Sequence, residues 1–130
     1  MPRFRIRRPL VAAAFTMALA TAAHASPDAV AQNEIDHLLQ FVGDSSCTFV
    51  RNGDEFPAAK ARDHLATKYR FVEGRISTAE DFIQYLGTGS SVSGEPYHVK
   101  CGNVDALSGP WLTAELHRYR QSAHLQKVAR

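Results

Sequence analysis

The sequence predicts an α+β domain in which about four helices pack on a small two-stranded antiparallel ribbon, residues 47–51 paired with 97–101. Apolar residues recur at helical spacing in several separate stretches. Two short alternating segments each carry one cysteine, Cys47 and Cys101. Gly, Pro and Asn-Gly punctuation divides these stretches from one another.

The first helix is read over 26–43, with Pro27 in its first turn, Ile35, Leu38, Leu39 and Val42 along one stripe, and Gly43 as its stop. Cys47 to Arg51 alternates as a strand and runs into the Asn52-Gly53 turn. Pro57 opens a second helix, whose Ala58, Ala61, Leu65, Tyr69 and Val72 continue as far as Gly74. Ser77 and Glu80 read as a capping box for a third helix, which buries Ala79, Phe82, Ile83 and Leu86 and ends at Gly87. Tyr97 to Cys101 is the second strand, and Gly102 to Leu107 is a loop. A last helix starts at Ser108-Gly109-Pro110 and frays past about 125. No repeat and no second domain are evident.

Placing Cys47 opposite Cys101 puts Phe49 against Val99 and Arg51 against Tyr97 on one face, with Thr48 against Lys100 and Val50 against His98 on the other. A one-residue slip would spoil this segregation. The register also predicts that Arg51-Asn52-Gly53 meets Ser93-Gly94-Glu95-Pro96 at the end of the ribbon away from the cysteines.

The first 25 residues read as a cleaved export signal. Arg3, Arg5, Arg7 and Arg8 precede an apolar stretch from Leu10 to Ala23, and Ala23-His24-Ala25 supplies the small-x-small cleavage pattern. The motif after Arg7-Arg8 fits ordinary Sec export better than the twin-arginine route. Cleavage after Ala25 would leave a single 105-residue periplasmic domain, 26–130, with no membrane span. Four of the 15 basic residues lie in the signal, so eleven remain against 13 acidic ones. That balance leaves no basic stripe for nucleic acid. Both cysteines would reach an oxidising compartment, where a Cys47–Cys101 disulfide is expected.

Four ordered motifs, CTFVRNGDEF, ARDHLATKY, RISTAEDFI and GSSVSGEPYHV, together resemble the YfeK-like family of small exported bacterial proteins. The likeness runs from about Glu34 to Arg120. It implies a periplasmic location and a shared fold. It carries over no catalytic residues, because the family is one of unknown function.

The run GTGSSVSGEPYHVKC, 87–101, concentrates Gly and Ser, and invites four chemistries. A nucleophile elbow needs Gly on both sides of its Ser, and Ser91 has Gly89 before it but Ser93 after it. A phosphate cradle belongs at a helix N-terminus, whereas this loop leaves a helix C-terminus. Histidines 37, 64, 98, 117 and 124 do not cluster at chelating spacing, so neither metal nor cofactor is implied. Recognition remains. Ser93-Gly94-Glu95-Pro96-Tyr97 is similar to the S-G-x-x-Y motif of bacterial inhibitors of C-type lysozyme, although those are β-barrels and this chain is helix-rich.

The resulting expectation is a small binding or inhibitor-like module rather than an enzyme. It would use the 88–97 loop beside the Arg51-Asn52-Gly53 turn, with Ser91, Ser93, Gly94 and Tyr97 as site residues. Arg51 is assigned to stacking on Tyr97 or pairing with Glu95. The partner would be a periplasmic protein or envelope component. The alternative is a small periplasmic hydrolase using Ser91 or Ser93 with His64.

Overall fold

The computed structural model describes residues 26–130 continuously and only isolated positions before them. The expected export signal, isolated positions apart, and the expected cleavage after Ala25 lie outside the described residues.

Helix α1 spans Ala29–Asp44 and presents Ala31, Ile35, Leu38 and Val42 inward. Asp28 rather than Pro27 starts it, its carboxylate accepting from the Ala31 amide at 2.8 Å. Gly43 does not stop the helix, which ends one residue later with the Ser45 hydroxyl bonded to the Val42 carbonyl at 2.8 Å. Gly43 serves close packing instead: a Cβ there would stand 2.8 Å from Arg62 Cδ on the next helix.

The two-stranded ribbon is corrected by the structure. Strands β1 (Thr48–Arg51), β2 (Asp54–Pro57), β3 (His98–Cys101) and β4 (Val104–Leu107) form a four-stranded antiparallel sheet in the order β2-β1-β3-β4. The turns explain the extra strands. Asn52 and Gly53 both have positive φ, 51° and 82°, as a two-residue hairpin of the mirror-image type requires, and Arg51 pairs directly with Asp54. Gly102, at φ 59°, turns the second hairpin so that Cys101 faces Val104. Asp54-Glu55-Phe56-Pro57 and Val104-Asp105-Ala106-Leu107 have little strand propensity. At a sheet edge, however, charge and proline are tolerated and even protective.

The central pairing has the predicted register, Thr48 with Lys100, Phe49 with Val99 and Val50 with His98. Phe49 and Val99 are buried under the helices. The opposite face is solvated and carries two cross-strand contacts, the Lys100–Glu55 ion pair at 2.7 Å and a His98–Asp105 hydrogen bond at 3.0 Å.

Each hairpin runs straight into a helix, β2 into α2 (Ala58–Val72) and β4 into α4 (Ser108–Val128). A strand–turn–strand–helix unit therefore occurs twice, although no repeat is evident in the sequence. Between them lies α3 (Ala79–Phe82), which widens into a π-helical turn over Ile83–Gly87. Its capping box is displaced by one residue from the predicted pair. Thr78 accepts from the Asp81 amide at 3.1 Å, and Asp81 accepts from both the Ser77 and Thr78 amides. Glu80 is left free to reach Arg120. α4 continues to Val128, beyond the expected fraying point.

The core joins the four helices to the central strands β1 and β3 through Leu38, Leu65, Phe82, Leu112, Leu116, Phe49 and Val99. Burial of each such side chain is worth about 1.5 to 3 kcal/mol. Trp111 packs on Phe41 with ring centroids 4.5 Å apart and edges onto Phe49 at 5.6 Å.

Candidate functional site

The sheet ends in two different ways. At one end Cys47 and Cys101 are joined as a disulfide with their Cα atoms 4.7 Å apart. At the other, the Asn52-Gly53 turn meets the loop between α3 and β3.

That loop is folded on itself. The Ser90 amide donates to the Glu95 carbonyl at 2.9 Å, and the Gly94 amide donates to the Ser90 carbonyl at 2.8 Å. Gly94 takes φ 74°, and Gly89 bridges Pro96. The buried Ser90 hydroxyl accepts from the Val92 and Ser93 amides, each at 3.3 Å, and from the Asn52 side-chain amide at 3.4 Å. The Ser93 hydroxyl donates to the Asn52 side-chain carbonyl and accepts from the Glu95 amide. The predicted meeting of turn and loop is thus made by Asn52, with Ser90 and Ser93 as its partners.

Ser90 lies in the expected 88–97 loop but is not among its expected site residues. Its signal was local, since a serine whose hydroxyl accepts amides two and three residues ahead is a common turn device. Ser91, singled out from the sequence, is exposed and its hydroxyl has no hydrogen-bond partner among the described residues. Ser90→Ala should therefore cost about 1 kcal/mol, whereas Ser91→Ala should stay within about 0.5. Paired urea titrations would check the difference.

Beside this junction, β1 and α2 enclose a cleft of about 360 Å³. Phe49, Phe56, Leu65 and Tyr97 give it apolar walls, and Arg51, Lys60, Asp63 and His64 supply its polar groups. Arg51 neither pairs with Glu95 nor stacks on Tyr97. Its Nη1 lies 2.8 Å from His64 Nε2, so the neutral imidazole accepts from the guanidinium. The cation over the Tyr97 ring is Lys68, 5.2 Å from its centroid and 3.0 Å from its hydroxyl.

Burial holds the His64 pKa below its ordinary value, and the neighbouring charges of Arg51 and Lys68 lower it further. The unfolded chain therefore takes up a proton that the folded site resists. His64 contributes to a loss of stability as pH falls below 6.5 toward its lowered folded value, and to none above it. Glu80 and Glu115 are also lowered. For Glu80 the main cause is the hydrogen bond from Arg120. For Glu115 burial pushes upward, but hydrogen bonds from His37 and Arg118 prevail. Both carboxylates act only below 4.5. Between pH 7 and 5, the wild type should lose more stability than His64→Gln, as read from denaturant midpoints.

Among the described residues neither Ser91 nor Ser93 has an imidazole as a hydrogen-bond partner; the ring of His64 meets Arg51. Among the described residues no three His, Cys, Asp or Glu side chains are grouped to hold a metal ion. No helix among them is long and apolar enough to cross a membrane.

Residues 29–120 match the family described as Family of unknown function (DUF5329). The chain belongs to this family. It is also similar to the uncharacterized protein YfeK of Salmonella typhimurium (strain LT2), with 35% identity over 91 residues, covering 69% of this chain and 76% of that protein. No solved structure matches. The YfeK-like resemblance drawn from the four motifs therefore stands. Within DUF5329 the matched span runs from α1 to the second half of α4, and it includes the turn, the loop, the cleft and both cysteines.

Proposed function

We propose that the protein is a single-domain, exported, periplasmic binding module that recognises an envelope partner through the 88–97 loop held against Arg51-Asn52-Gly53. The observation that carries this reading is the Asn52 side chain, which bonds to Ser90 and Ser93 together and holds the loop in one shape before any partner arrives. Such preorganisation lowers the ordering cost of binding. It leaves Val92 projecting at the loop tip, 90% exposed, beside the unbonded Ser91. Binding is favoured over hydrolysis by Ser91 or Ser93 with His64 because the imidazole is engaged by Arg51 and not by either serine.

Capture from periplasmic extract tests the reading. The wild type should retain a partner that Val92→Asp loses and Asn52→Ala holds more weakly. Equal capture by all three would remove the loop from consideration. Mass spectrometry of the exported protein should find Ser26 at its N-terminus, and an intact arginine-rich leader would contradict the periplasmic assignment.

A further inference from the structure

We propose that the cleft between β1 and α2 binds a small amphipathic monoanion, its carboxylate held by Arg51 and Lys60 and its apolar body lying against Phe49, Phe56, Leu65 and Tyr97. The site is separate from the loop tip and does not depend on a protein partner there.

Two cations of the cleft, Arg51 and Lys60, have no carboxylate partner among the described residues. Arg62, Lys100, Arg118 and Arg120 each meet a carboxylate. Arg51 meets only the His64 ring, through one nitrogen, and its Nε and Nη2 have no acceptor among the described residues. Lys60 makes no ion pair among the described residues, and it stands at the exposed rim of the same cleft. A guanidinium anchored at one nitrogen, with its other donors free, suits bidentate capture of a carboxylate.

The remaining polar groups narrow the class. Asp63 also lines the cleft; although Arg62 pairs with it, its negative charge disfavours a dianion. The lining is otherwise chiefly apolar, which excludes a sugar or another many-hydroxyl ligand that would leave its polar groups unpaired. A volume of about 360 Å³ lies at the small end of ligand sites, enough for a short acyl or aromatic body and too small for a peptide.

The test is a nuclear magnetic resonance titration of the purified, oxidised protein with octanoate, octanol, acetate and octyl phosphate. Octanoate should shift the resonances of Leu65, His64 and Tyr97 and bind at least tenfold more tightly than octanol or acetate. Tighter binding of octyl phosphate than of octanoate would overturn the monoanion assignment. Equal binding of octanoate and octanol would remove the role of the cations. Arg51→Gln should weaken octanoate at least tenfold. Lys60→Gln, at an exposed helix position that cannot threaten the fold, should weaken it severalfold. Unchanged octanoate affinity in Lys60→Gln and in a folded Arg51→Gln would refute the site. Val92→Asp should leave octanoate binding untouched, which separates a failure here from a failure of the recognition loop.

Discussion

Replacing Cys47 and Cys101 together by alanine is expected to lower the unfolding free energy by about 4 kcal/mol, the loop-closure value for a ring of this length. The bridge spans a sequence separation of 54 and therefore ties the first hairpin to the second before either has found the other. It also lies where the central register is decided, next to the Thr48–Lys100 pair. Urea unfolding of the oxidised wild type and the double mutant measures the loss; a difference below about 1 kcal/mol would mean that the unfolded chain is already held compact by other means. Because the bridge is at the opposite end of the sheet from Asn52, capture through the loop should survive wherever the double mutant still folds.

The second large effect is expected at Arg120. Its guanidinium joins Glu34 on α1 to Glu80 on α3, and its own pKa is raised chiefly by hydrogen bonds to Glu80 and Glu34. Glu34 is only 6% exposed, so removing its partner leaves a largely buried carboxylate without its guanidinium. Arg120→Met should cost about 2 to 3 kcal/mol, below the roughly 3 to 5 of a fully buried broken pair because Arg120 itself is half in water. Glu34→Leu combined with Arg120→Met should recover most of that loss, since nothing charged is then left buried. A double-mutant cycle by thermal or urea unfolding decides between a stranded charge and simple loss of packing, in which case the pair would be no better than the single change.

The central register was legible from the sequence because each strand alternates and carries one cysteine, and setting the two cysteines opposite each other places Phe49 against Val99 on their face. The edge strands were not legible. Asp54–Pro57 carries two acids and a proline, Val104–Leu107 is only four residues long and lacks alternation, and both are strands because tight turns lay them alongside partners. The meeting of Asn52 with the Ser93 segment followed from the register. The contact of Arg51 with His64 did not, because it depends on how α2 is rotated about its own axis over the sheet, which packing decides. The one-residue displacement of the cap arose from a competition the local pattern does not reveal: Glu80 is drawn away by an arginine forty residues downstream.

The repeated strand–turn–strand–helix unit has a consequence for how fast the chain assembles. Within each unit every strand contact is local, and an isolated hairpin closes in about 1 to 10 μs. The pairing of Phe49 with Val99 must instead wait for an encounter between two distant chain segments, and this non-local step is expected to limit the folding rate. An oxidised chain keeps the two segments tethered while unfolded and a reduced chain does not. Refolding should therefore be slower after reduction, whereas the unfolding rate should depend much less on the bridge.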